Sequence, residues 1–247
     1  MNSTVSGDEP YQWDVSLTRV LVGERYGAKQ LDLLRPVLRA AVVRLRHCEI
    51  HYDELKAVTA KHLDGPLKNG VEPWQIMLAN EDETGANNMF VITCEAHLFA
   101  CIQALHATAD NLAHVLYYGL GWNLENKPNK RSAALNTVHD RLYQLRNSQQ
   151  NLKPFLQHLV TLRTAPEFKL LESASNHIKH HGGLHTELNW EPSPDRPYEL
   201  VLSEFERDAV VYPQKEAVTF IQEAHLVISK AVVHTGCALN DWLRLAP

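Results

Sequence analysis

The chemistry-bearing stretch of this chain is "ASNHIKHHGGLH", residues 174–185. It holds four of the fourteen histidines together with one lysine and no acidic residue. Imidazoles serve as general acids, general bases or metal ligands, so spacing has to decide between these uses. His177 and His180 stand three apart and could share a metal from one helix face, but no glutamate precedes either at Glu-x-x-His spacing. Glu95 and His97 are two apart, which puts them on opposing sides of a helix. HExxH and CxxC are both absent. The spacing therefore predicts no metal site and no cofactor, and leaves either acid–base chemistry or a polar helix end.

A second constellation lies upstream. At 100° per residue His106, Asp110 and His114 fall within about 80° of arc on one helix, with Glu95 near the same stripe. A carboxylate beside imidazoles can fix a tautomer, raise a histidine pKa or help to bind a ligand. The plain alternative is a helix flank whose polar residues face solvent or a crevice. Phosphate-cradling and nucleophile-elbow motifs are missing: the chain contains no GxSxG, no GxxxxGK[ST] and no convincing GxGxxG.

Helices must position these residues. From Ala86 to Leu120, Val91, Cys94, Leu98, Cys101, Leu105, Thr108, Leu112 and Val115 alternate spacings of three and four, a heptad-like seam on one long helix. A second helical pattern runs from Ala28 to His62 through Leu31, Leu34, Leu38, Val42, Leu45 and Leu55. Pro36 is expected to start or kink it. "DGPLKNG" at 64–70 breaks the pattern, and a loop with Trp74 and a short helix follow. Further helices are expected over 132–146, 149–162 and 166–181, the last closed by Gly182-Gly183, and over 213–245. Between 184 and 206, "LHTELNW" and "YELVLSEF" flank "EPSPDRP" and read as two extended segments. The fold class is all-α: an up-down bundle of five to seven helices with a small β-hairpin-like insertion near 184–206. Residues 1–12 read as a flexible tail and 13–247 as a single domain.

Composition sets outer limits. The 247 residues include 45% hydrophobic and 21% charged residues, enough to build a core. A formal charge of −5 argues against holding duplex DNA through net charge. Cys94 and Cys101 lie two turns apart on one helix side and read as small core residues, not a disulfide framework. The amino terminus lacks a basic region followed by an apolar run, and no uncharged apolar run of about twenty residues is found. These features lead to the expectation of a cytoplasmic protein without a membrane span. Trp74, Trp122, Trp190 and Trp242 read as packing anchors, and "NKPNKR" at 126–131 as a solvated loop.

The pairing of "IQALHATADNLAHVLYYGL" with "APEFKLLESASNHIKHHGGL" resembles the HEPN superfamily of small helical bundles. The likeness covers roughly residues 28–240 in order of elements. It rests on a His-x-x-x-Asp stretch on one long helix and an Asn-x-x-Lys-His stretch on a later, shorter one. The resemblance implies a polar pocket between those helices, frequently completed in a homodimer, that takes a nucleotide or RNA. Asn176, Lys179 and His180 would be its catalytic candidates, and His106, Asp110 and His114 its ligand-binding candidates. In ribonuclease members an Arg stands ahead of the His, whereas Ser175 occupies that place here. An Arg brings a permanent charge to the scissile phosphate and a serine does not. Three readings stay open: binding without cleavage, a metal-independent ribonuclease of the toxin or defence type with an altered site, and a non-catalytic structural or interaction module. Arg46 and His51 also match the Arg-to-His spacing but lie on the first long helix, where a polar flank is expected.

Overall fold

Asp14 opens the first helix and Gly27 ends it. The Asp14 carboxylate accepts from the Leu17 N–H at 2.9 Å, and Gly27 sits at φ +83°, which a side chain would strain. The computed structural model describes residues 12–72, 86–125, 133–180, 183–189 and 198–245. Trp74 and Trp190, "NKPNKR", Gly182, "EPSPDRP" and nearly all of the expected tail lie outside the described residues. Helix α1 (Val15–Tyr26) was not foreseen, because only Thr18 and Val22 of its residues are buried and no apolar stripe announces it.

α2 (Ala28–Thr59) begins eight residues before Pro36 and runs through it. Pro36 lies on the exposed side, where water can satisfy the carbonyl left without its N–H partner. A five-residue π-helical stretch, Ala60–Asp64, continues α2 into the single turn α3 (Gly65–Lys68). α4 (Ala86–Gly119) realises the seam: Cys94, Leu98, Cys101, Leu105, Thr108, Leu112 and Val115 are all closed to solvent. Its segment Met89–Gly119 is nevertheless long and apolar enough by length and composition to cross a bilayer, with a mean hydropathy of 1.4 in its most apolar window. Glu95 and Asp110 interrupt it, so no uncharged run of about twenty residues lies within it. Core helices pass the same test, and this seam is buried in protein.

α5 (Leu135–Leu145), α6 (Lys153–Thr164), α7 (Pro166–His180) and α8 (Ala217–Leu245) follow the apolar periodicities to within a few residues. The chain is thus a mostly helical bundle with a small antiparallel insertion. That insertion is richer than two segments. β1 (Thr186–Asn189), β2 (Glu199–Leu202) and β5 (Lys215–Glu216) form one sheet in the order β1-β2-β5, with Thr186 opposite Leu202 and Val201 opposite Glu216. β3 (Phe205–Arg207) and β4 (Val210–Tyr212) form a separate hairpin.

Two compact units are built from these elements, each from separated stretches of chain. The first takes in Met1–Val42, Thr108–Thr164 and Ile228–Pro247, and the second Val43–Ala107 and Ala165–Val227. In the first, the Trp13 indole lies flat against α8, where a Cβ on Gly236 would come within 2.1 Å of it. Trp13 donates to the Thr18 hydroxyl at 2.8 Å, Thr18 donates to Asn240 Oδ1 at 2.6 Å, and Asn240 donates to the Asp14 carbonyl at 2.9 Å. Trp122 is buried under the Arg141 guanidinium, and Trp242 stacks beneath Arg25, so both act as the packing anchors expected.

Two predictions follow from local geometry. Asp208 and Ala209 turn the β3–β4 hairpin at φ +53° and +60°, a conformation a glycine adopts without steric cost. Ala209→Gly is expected to stabilise the protein by about 1 kcal/mol, read as a higher urea midpoint. In the first unit His158 lies beside His234, ring centroids 5.6 Å apart. Burial holds the His158 imidazole below its ordinary value of 6.5, and His234 acts in the same direction. The unfolded chain therefore takes up a proton that the folded chain resists, so stability is full above that value and falls as pH drops through it. His158→Gln is expected to flatten the fall in urea midpoint between pH 7.5 and 5.5; an unchanged slope would contradict it.

Candidate functional site

α7 is an amphipathic helix whose buried face carries Phe168, Leu171, Ala174 and Ser175, the three-and-four spacing of a single stripe. The β3–β4 hairpin clasps its other side. Ser173 donates to the Tyr212 hydroxyl at 2.7 Å, Arg207 donates to the Glu172 carbonyl at 3.3 Å, and His177 meets Phe205 edge-on at 5.3 Å. Phe205 in turn stacks on Tyr212 at 5.0 Å. His177, one of the histidines that spacing had set aside, is thus a packing residue.

Ser175, where the resemblance wants an arginine, is 0% exposed. Its hydroxyl donates to Gln103 Oε1 at 3.4 Å, and Gln103 Nε2 returns a hydrogen bond to the Ser175 carbonyl at 3.2 Å. A reciprocal amide–serine tie therefore joins α7 to α4 at this level. The position at which the resemblance implies an arginine faces the seam between α4 and α7. Asn176, the next residue round the helix, is half-buried, while Lys179 and His180 are exposed in the last turn. There their charge also complements the negative end of the helix dipole, which is reason enough for cations at this place.

On α4, His106 is half-buried one turn beyond Gln103, and it belongs with α7 to the second unit. Asp110 and His114 are half-buried in the first unit. The His114 ring bonds the Asp110 carbonyl at 2.9 Å, a link within its own helix and not to the Asp110 carboxylate. Glu95, near the same stripe, accepts from the Thr186 N–H at 3.0 Å and its hydroxyl at 3.4 Å, anchoring β1 to α4. The second Arg-to-His match resolves into separate contacts. Arg46 pairs with Glu49 on its own helix, and His51 turns to His97, with Nδ1 atoms 3.1 Å apart.

Cys48, Cys94 and Cys101 are buried and free, and Cys237 is partly exposed and free. Burial pushes the Cys94 thiol up to about 11, so it stays protonated and inert. Among the described residues no three His, Cys, Asp or Glu side chains converge as a metal site would need.

Sequence reasoning missed one polar constellation altogether. In the second unit a cavity of about 500 Å³ opens between the carboxy-terminal end of α2 with its π-helical extension, β2, and the start of α8. Lys56, Thr59, Asp64, Tyr198, Glu199 and Glu216 line it. The Tyr198 hydroxyl donates to the Asp64 carboxylate. Asp64 sits in "DGPLKNG", read only as a breaker, and its partner lies 134 residues away, so no local pattern joins them.

Ser175→Arg, the change that would rebuild the ribonuclease window, places an unpaired charge in the α4–α7 seam. It is expected to destabilise by about 3–5 kcal/mol, measured by urea unfolding, without creating RNA cleavage. A cost near zero would show that the seam is open. Compared with family models, curated proteins and solved structures, the chain has no match among any of them.

Proposed function

We propose that this chain is a HEPN-like helical protein that binds a nucleotide or single-stranded RNA without cutting it, as a cytoplasmic homodimer. The observation that carries the reading is the contrast within one short window. Position 175 is sealed by Gln103, while Asn176 is half-accessible and Lys179 and His180 project from the end of α7. Lys179 supplies a point charge for a phosphate, the Asn176 amide a donor and acceptor for a base edge, and His180 a second polar contact. His106, one turn from the Gln103–Ser175 tie, is the α4 residue of the same unit that belongs with this site. Cleavage by the 2′-hydroxyl route needs a base and stabilisation of the developing phosphate charge. His180 can provide the first, and the permanent cation expected for the second is absent at 175.

A structural reading is favoured by the same tie, since Gln103–Ser175 staples two helices and the terminal cations answer the helix dipole. Binding separates the two. Fluorescence anisotropy with a labelled single-stranded RNA at 50 and 150 mM salt is expected to show saturable, salt-dependent binding. An Asn176→Ala/Lys179→Ala/His180→Ala variant should weaken it about tenfold or more, with the RNA intact on a gel and a dimer by light scattering. Absent binding, or binding indifferent to the variant, selects the structural reading. Cleavage that persists in EDTA and disappears in His180→Ala selects the ribonuclease.

A further inference from the structure

We propose that the crevice between α2, β2 and α8 in the second unit is a binding site for a small linear polycation of the polyamine type. This inference is independent of the RNA reading and uses none of its residues. The main cavity, about 500 Å³, falls within the size range of small-ligand sites, roughly 300–1,000 Å³. Gln222 also lines a second, narrower cavity of about 220 Å³, walled by Tyr52, Ile221, Cys48, Glu49 and His225. Polar and apolar compartments thus share a wall along one face of α8.

The charges decide the ligand class. Asp64, Glu199 and Glu216 bring three carboxylates to the larger cavity, while Glu49 in the smaller is already paired with Arg46. The opposing cation, Lys56, is already engaged with Asp53 at 3.6 Å and with the Tyr52 ring at 4.7 Å. Glu216 spends its oxygens on the Val218 and Thr219 N–H groups at the start of α8 but keeps its charge. Tyr198 donates a hydrogen bond to Asp64, and burial together with that bond raises its phenol well above the ordinary range, so it stays neutral. Among the described lining residues a phosphate or carboxylate ligand would meet three carboxylates and one lysine. A single metal ion is also unsuited, because among the described residues no three such ligands converge and the space is many times larger than an ion. Carboxylates that line a crevice together with the apolar Leu200 and Val218 match spaced ammonium groups joined by methylenes.

Isothermal titration of the full chain with spermidine in 150 mM salt, with AMP as the anionic comparison, tests this. Saturable one-to-one spermidine binding is expected, weakened about tenfold or more in Asp64→Asn/Glu199→Gln. Thr219→Trp, which fills the cavity without changing charge, should abolish it, and the exposed Asp208→Asn should leave it unchanged. Circular dichroism confirms folding, and the isosteric double variant decides the matter if the tryptophan variant does not fold. The proposal is overturned by absent saturation, by binding that survives the double variant, by equal weakening in Asp208→Asn, or by AMP binding that Thr219→Trp abolishes while spermidine does not bind.

Discussion

The apolar seam of α4 is the constraint on which the other elements depend. Seven of its positions from Cys94 to Val115 are closed to solvent, and each fully buried leucine among them contributes about 1.5–3 kcal/mol. Both units draw on this helix, one taking its amino-terminal part and the other the rest. Its flanks are consequently committed positions: Glu95 holds β1, and Gln103 holds α7. Polar residues beside such a seam face a choice between stapling and binding, and the hydrogen bonds decide it one residue at a time.

That decision clarifies what Ser175 means. A missing arginine in a short motif reads from sequence as a near miss, one substitution from activity. The reciprocal bonds to Gln103 make it a different kind of position, with its side chain in contact with a neighbouring helix. The HEPN-like reading therefore depends on Asn176, Lys179 and His180, three residues around the end of one helix, and loses its strongest catalytic element.

Legibility tracked the range of the interactions. The long seam could be read because its apolar period is local, and the bounds of α4 through α8 fell close to expectation. α1 was invisible because what holds it is a cap at Asp14 and a bond from Thr18 to Asn240, 222 residues away. The β3–β4 hairpin escaped notice because its turn is Asp208-Ala209, without the glycine that usually marks such a reversal. The polar crevice could not have been found at all. Its defining pair, Asp64 and Tyr198, is an ordinary aspartate in a breaker and an ordinary tyrosine ahead of a strand.

The Trp13–Gly236 contact has a bearing on how the chain acquires its structure during synthesis. Thr18 leaves the ribosome 222 residues ahead of Asn240, and Trp13 earlier still, so the α8 backbone and amide that receive them do not yet exist when they emerge. The first unit draws on widely separated stretches, so its core cannot close until α8 has been made. The amino-terminal indole and the face of α1 must wait, exposed, for α8. Closure of this unit therefore waits on α8, and the nascent chain passes through a stage in which α1 lacks these contacts.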